Sequence, residues 1–284
     1  MEELPRIAGL IGKLRAASPL VHQLTNFVTV NDCANATLAI GASPVMSASE
    51  EEAPQLAAIS GALLLNMGTP DEAQVRAMLA AGRAARERGV PIVFDPVGAG
   101  ADEYRRALSA RLLEDCGPTV VKGNAAEIAF LAGLDSAQRG VDSLESSGEA
   151  GKIARAAITL ARRYSCVVLA TGAVDIAADA SGAWSVSGGS PELGRVCGSG
   201  CMLGSVAASF LAAAGRERAL ESALAAALTF KLCAEGASAS GAAAKGLSSF
   251  RWAFMDALSR IGDDELEKAL LPGERGERFA HVRP

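Results

Sequence analysis

Apolar and polar positions alternate along this chain in blocks of two lengths. Short apolar runs at Leu20–Leu24, Ala62–Asn66, 91–95, 119–122 and 166–170 each end against polar or small residues. Runs of that length bounded by turn residues predict strands buried on both faces. The longer stretches between them carry a polar side and predict helices over 29–40, 50–60, 71–88, 102–115, 124–131 and 150–163. Residues 43–46 predict a brief edge-like strand. Repeated strand–helix units of this size predict an α/β fold: a mostly parallel central sheet, helices on both faces and right-handed crossovers.

The rhythm changes after Thr171. Residues 174–196 predict two or three short antiparallel edge strands, turned at Asp179-Ala180-Ser181-Gly182 and Ser187-Gly188-Gly189-Ser190. From Ser199 to about Gly262 the pattern is almost wholly helical. The polar stretch 135–149 predicts a surface loop, and the tail at about 272–284 a flexible end. There is no repeat of solenoid period and no convincing linker, so the 284 residues predict a single domain over 1–284.

Composition narrows the function. Half the residues are hydrophobic, 21% are charged and the net charge is −5, with no run of Lys or Arg. That excludes nucleic acid and anionic membranes as expected partners. The alanine-rich segments are broken before they reach membrane-spanning length, and residues 1–6 carry no apolar signal core, so the expected location is the cytoplasm. Six cysteines with only His22 and His281 as histidines argue against structural zinc. They read as free thiols, with Cys116 and Cys166 as small buried hydrophobes.

The chemistry collects just after the strands: Thr25-Asn26, Asn66-Met67-Gly68-Thr69, Asp95-Pro96-Val97-Gly98, Lys122-Gly123-Asn124-Ala125-Ala126-Glu127 and Thr171-Gly172. Open parallel sheets bind ligands at that edge. Turn chemistry explains each cluster singly, since Asn, Asp, Gly and Thr favour turns. Further on, Gly198-Ser199-Gly200-Cys201-Met202-Leu203-Gly204 opens a helix with a glycine turn. Such a turn presents backbone N–H groups to an anion at the positive end of the helix dipole. Its spacing is not the dinucleotide fingerprint, and no G-x-x-x-x-G-K-[ST] occurs, so the expectation is an anion hole for a transferring phosphoryl group rather than a P-loop.

Asp95 and Glu127 form a candidate Mg2+ pair, because Mg2+ takes few carboxylates alongside substrate phosphates. A turn-capping Asp95 and a helix-dipole Glu127 fit the sequence as well. Lys122 can pair with a nucleotide phosphate, and Thr171-Gly172 can meet phosphate through hydroxyl and backbone. Cys201 lies where turn becomes helix, a position that favours a thiolate. Two roles fit it: base toward an alcohol, or wall of the pocket.

The segments Pro19-Leu20-Val21-His22-Gln23-Leu24-Thr25-Asn26, Gly41-Ala42-Ser43-Pro44-Val45-Met46, Asp95-Pro96-Val97-Gly98-Ala99-Gly100, Gly123-Asn124-Ala125-Ala126-Glu127 and Gly198-Ser199-Gly200-Cys201 together resemble the hydroxyethylthiazole kinase family. Order and spacing agree over about residues 18–250. The cysteine at 201, where related ribokinase-like enzymes carry aspartate, is the most specific element.

The resemblance implies a ribokinase-like fold and phosphorylation of the primary alcohol of 4-methyl-5-(2-hydroxyethyl)thiazole by Mg-ATP, in thiamine salvage. It implies homotrimers with active sites at the subunit interfaces. It places Met46, Gly198 and Asn26 at the thiazole, and Lys122, Thr171 and Asn124 at ATP. Asp95 and Glu127 serve metal and phosphates, Gly198, Ser199, Gly200 and Cys201 form the anion hole, and Cys201 lies beside the acceptor hydroxyl.

Three positions depart from the family pattern: Lys122 for arginine, Cys197 for threonine, and Gly246-Leu247-Ser248-Ser249-Phe250 for Gly-Pro-Gly-Ser-Phe. Lysine keeps the charge but loses the bidentate fork. Two other readings are a hydroxymethylpyrimidine or pyridoxal kinase, which the cysteine at 201 disfavours, and a non-catalytic nucleotide or thiamine-precursor sensor.

Overall fold

A computed structural model describes residues 6–134, 146–271 and 278–282. The chain enters through α1 (Leu10–Ala17), which the apolar pattern did not predict. The units β1 (Leu20–Leu24), α2 (Val30–Ile40), β2 (Ser43–Val45), α3 (Ala53–Ile59), β3 (Ala62–Asn66), α4 (Glu72–Arg88) and β4 (Ile92–Asp95) follow. Next come α5 (Glu103–Cys116), β5 (Val120–Asn124), α6 (Ala125–Leu131), α7 (Ser146–Tyr164), β6 (Val167–Thr171), β7 (Asp175–Ala178) and β8 (Ala183–Val186). A 3-10 turn at Pro191–Arg195 leads to α8 (Ser199–Ala214), α9 (Ala219–Ala239), α10 (Ala242–Lys245), α11 (Leu247–Arg260), α12 (Asp263–Leu270) and β9 (Phe279–Val282).

The strands form one nine-stranded sheet in the order β2-β1-β3-β4-β5-β6-β7-β8-β9. Strands β1 to β6 pair in parallel, and β7, β8 and β9 join antiparallel. This is the α/β architecture expected from the blocks. Alternate strand residues feed two cores. Leu64, Val93, Val120 and Leu169 face a layer that includes α1, α2, α8, α9 and α11. Leu63, Leu65, Phe94, Val121 and Val168 face a layer that includes α3, α4, α5 and α7. The period of two along each strand distributes the apolar residues between these layers.

Local chemistry sets the helix ends. Asp71 and Asp102 cap α4 and α5 by accepting the amides of Gln74 and Arg105. Gly41, Gly89 and Gly117 end α2, α4 and α5 in left-handed conformations. Burial pushes the thiols of Cys116 and Cys166 up to about 12, in keeping with their reading as small hydrophobes.

Three expectations need correction. The tail is not wholly a flexible end: Phe279–Val282 pairs with β8, where Phe279 joins the core and main-chain bonding closes the edge of that strand. Residues 272–277 and 283–284 lie outside the described residues. The second is the loop over 135–149. Helix α7 starts at Ser146, four residues before the helix expected from 150, and 135–145 lies outside the described residues. Third, helix continues past Gly262 through α12, whose acidic first turn and Glu265–Gly262 bond favour a new start.

The order β2-β1-β3 positions the site. The chain leaves β1 toward one side and later returns to β3 on the other. Loops therefore diverge above the carboxyl ends of β1 and β3, which is where open α/β sheets bind ligands.

Candidate active site

Asn26 follows β1, Asn66 ends β3 and Asp95 ends β4, so the parallel register sets them side by side; Asn66 and Asp95 are direct partners. Asn26 Nδ2 donates to Asn66 Oδ1 at 3.0 Å, and Asn66 Nδ2 donates to Asp95 Oδ2 at 2.8 Å. Lys122 Nζ, one strand further, donates to the same Asp95 oxygen at 3.1 Å. Asn26 Nδ2 also points to Cys201 Sγ at 3.3 Å. A single polar line thus runs from the cysteine at the start of α8 to the lysine of β5. Thr29 fixes its near end by donating its amide and hydroxyl to Asn26 Oδ1, each at 3.1 Å. Arg105 braces the floor by donating to the carbonyls of Met67, Gly68 and Val97.

The electrostatics follow from burial. Asp95 is fully buried, and desolvation raises its pKa to about 6 against the opposing attraction of Lys122. Burial works against the Lys122 ammonium as well. The charges of Asp95, Cys201 and Glu127 outweigh it and hold Lys122 above the ordinary lysine range. Near neutral pH the two form a buried ion pair. Asp95 Oδ1 has no hydrogen-bond partner although it is buried.

Helix α8 brings its amino end onto this pair. Gly198 caps it in the left-handed region (φ 79°), where a Cβ would lie 2.4 Å from Thr29 Cγ2. A Cβ on Gly200 would lie 3.3 Å from Lys122 Nζ, and one on Gly204 3.5 Å from Asp95 Oδ2. The glycines therefore let the helix approach the charged pair closely. In the first turn of α8 Ser199 N–H donates to Val196 O at 3.2 Å and Met202 N–H to Gly198 O at 2.8 Å, which leaves the amides of Gly200 and Cys201 as its anion donors.

Glu127 has a structural duty that its sequence reading left open. Its Oε2 accepts Asn124 N–H and its Oε1 accepts Gly98 N–H, both at 2.8 Å, while Asn124 Oδ1 accepts Glu127 N–H at 2.9 Å. This capping box fixes the start of α6 and ties it to the loop after Asp95. Glu127 still acts on Asp95 through its charge.

Thr171 ends β6 beside a separate cavity of about 490 Å3, lined also by Gly172, Gly188, Gly189, Ser199 and Gly200. Gly172 N–H is taken by Asp175 Oδ1 at 2.9 Å, and the Thr171 hydroxyl donates to Gly123 O at 3.2 Å. The structure therefore brings together Asn26, Asp95, Lys122, Gly198, Gly200 and Cys201, with Ser199, Gly200 and Thr171 facing the cavity. Met46 stands apart after the edge strand β2, without a hydrogen bond to the cluster among the described residues.

Sequence reasoning missed Thr29 as a site member. It put Asn66 in the polar cluster after the third predicted strand but gave it no role of its own. It also missed the ion pair of Lys231 with Asp175, which closes the far side of the cavity.

The fold is that of ribokinase-like kinases. A ribokinase-like superfamily protein from Enterococcus faecalis superposes with a TM-score of 0.59 at 13% identity, covering 89% of this chain and 88% of that one. More specifically, the chain belongs to the hydroxyethylthiazole kinase family, whose sequence profile matches residues 11–264. The hydroxyethylthiazole kinase of Methanoculleus marisnigri is 46% identical over 91% of this chain and 90% of its own. The structure of hydroxyethylthiazole kinase protein from Pyrococcus horikoshii superposes with a TM-score of 0.82 at 35% identity, over 98% and 99% of the two chains.

Proposed function

We propose that this chain transfers the γ-phosphoryl group of ATP to the primary hydroxyl of 4-methyl-5-(2-hydroxyethyl)thiazole, in thiamine salvage. The observation that carries the reading is Asn26 Nδ2 at 3.3 Å from Cys201 Sγ, at the amino end of α8 and above the switch point of the sheet. Family membership supplies the reaction class.

The acceptor lies on the Asn26, Met46 and Cys201 side, and the nucleotide on the side of Thr171 and the 490 Å3 cavity. The first turn of α8 stands between them. Its amides face the charge that spreads over the transferring group, in a fixed arrangement that needs little reorganisation. Lys122 holds positive charge beneath Gly200 and keeps Asp95 ionised. Cys201 borders the acceptor oxygen. Asn26, pinned by Thr29 and Asn66, orients both thiol and substrate.

Asp95 and Glu127 fit a divalent cation. Asp95 Oδ1 is buried and unpartnered, and Glu127, whose oxygens accept Gly98 and Asn124 N–H, adds its charge nearby. That sparse, hard donor set suits Mg2+ carried in with a polyphosphate. When bound, Mg2+ supplies neutralisation of phosphate charge.

A homotrimer accords with the surface beside the site. Phe27 is 76% and Val28 56% exposed directly after Asn26, and exposed apolar side chains beside the site suit cover by a second copy. No described helix is long and apolar enough to cross a membrane.

The test is ADP release with Mg-ATP and hydroxyethylthiazole, run beside hydroxymethylpyrimidine and pyridoxal, with mass detection of the phosphorylated thiazole. Turnover selective for the thiazole is expected. Nucleotide binding without any phosphorylated alcohol would favour the sensor reading instead.

A further inference from the structure

Helix α9 is apolar through residues 223–228 and again at Phe230, yet Lys231 follows and is only 5% exposed. A buried ammonium persists only where its donors are satisfied. Lys231 Nζ donates to Ala173 O at 3.1 Å and Gly188 O at 3.2 Å and forms an ion pair with Asp175 Oδ2 at 3.4 Å. Ala173 belongs to the turn between β6 and β7, and Gly188 to the loop after β8. Both line the 490 Å3 cavity, as does Lys231 itself.

The same face of α9 continues the fastening. Glu235, one turn on, accepts Gly189 N–H at 2.9 Å and pairs with Arg278 at 2.8 Å. Ser238 meets the Ser190 hydroxyl at 2.8 Å. Gly188 and Gly189 both take left-handed backbone (φ 107° and 95°), and a Cβ on Gly188 would lie 2.3 Å from Glu235 Oε1. The loop is thus laid flat on the helix at three successive residues. Asp175, held opposite, fixes the amide of Gly172 at 2.9 Å.

We propose that Lys231 is a positioning residue for the nucleotide: by tying the 171–173 turn to the 188–190 loop, it sets the width of the cavity and the affinity for a nucleoside triphosphate. Held by two carbonyls and paired with a carboxylate, it acts through these walls and not as a phosphate ligand. The inference rests on the reading that this cavity takes ATP.

The experiment compares wild type, K231M, K231R, the charge-neutral pair D175N/K231M and S238A. Calorimetric binding of a non-hydrolysable ATP analogue is measured beside KM and kcat for both substrates. K231M is expected to weaken analogue binding and raise KM for ATP by roughly tenfold. The KM for the alcohol and kcat at saturating ATP are expected to stay within about threefold. K231R is expected to recover part of the loss. D175N/K231M removes the stranded carboxylate and keeps the measurement open if K231M does not fold. S238A removes one hydroxyl contact at the half-buried end of the face, with an expected loss of about threefold.

Unchanged analogue affinity across the folded variants overturns the proposal while leaving the kinase reading intact. So does a loss shared equally by kcat and the KM for the alcohol. If wild type binds no analogue, the nucleotide reading of the cavity falls, and this proposal with it.

Discussion

Asn66 donates its side-chain amide to Asp95 at 2.8 Å, across the seam between β3 and β4. Its carbonyl meanwhile accepts from Asn26 and from Gly68 N–H, both at 3.0 Å. One buried amide thereby orients both a carboxylate and the residue that contacts Cys201. The variant N66A leaves three polar groups short of a partner. It is expected to lose about 1–3 kcal/mol in chemical denaturation and to depress kcat more than either KM. Retention of full kcat would remove Asn66 from the site.

Asp95 gives the reaction an acid limb. Its folded pKa is raised to about 6 from the ordinary 3.8, so the carboxylate is lost as pH falls through 6. Activity is expected to decline below that pH, with the D95N variant slower by roughly 100-fold or more and free of the limb. The sign for stability is opposite. A raised carboxyl pKa means that the folded form binds the proton more tightly, so this group stabilises most below pH 3.8 and that contribution disappears as pH rises through about 6. A kcat profile and a set of unfolding curves across pH 4–8, roughly the span over which carboxyl shifts of this kind act, check both.

Cys201 has an amide donor at 3.3 Å that an aspartate would also accept. If the site needs a base, C201D keeps or raises turnover while C201A lowers it. Single-turnover rates of the two variants decide. A large loss with Asp but not with Ala leaves Cys201 as pocket wall.

Gly198 tolerates no side chain. Its left-handed backbone alone disfavours alanine by roughly 1–2 kcal/mol, and the added carbon would meet Thr29 Cγ2 at 2.4 Å. G198A is expected to lower both melting temperature and activity. T29S in the same chain removes the offending methyl and should restore part of each.

Phe27 and Val28 test the assembly. Light scattering on purified wild type is expected to report a trimer. F27D/V28D should shift the mass toward monomer and reduce turnover, because the pair directly follows Asn26. A monomeric wild type with full activity would exclude a shared site.

Much of this site was readable from residue order. Asp95 and Lys122 each follow an apolar run, so both had to reach the rim of a parallel sheet, and Gly198 to Cys201 announced a helix start. Their mutual pairing was not readable. The burial of Lys122 was not readable either, because residue order does not show that Gly200 brings α8 down against its ammonium. Lys231 and Asp175 are separated by more than fifty positions. The signal that could have exposed them was a lone lysine inside an apolar helix, which must find an anion or carbonyls. The strand β9 hid behind polar residues because an edge strand buries only one side chain well, here Phe279.

Strand order in this sheet largely follows chain order, with β2 alone placed outside β1. Each later strand can therefore dock on its predecessor as synthesis proceeds, without threading between strands already paired. The polar floor of the site, Asn26, Asn66, Asp95 and Lys122 on or after β1 through β5, precedes α8 with Gly198 and Cys201 in time. The loop at residues 188–190 gains Lys231, Glu235 and Ser238 as anchors once α9 is made, and Arg278 joins Glu235 when the segment carrying β9 arrives. A nascent chain would thus lay down its buried polar floor well before α8 and α9 supply the turn and the wall that complete the site.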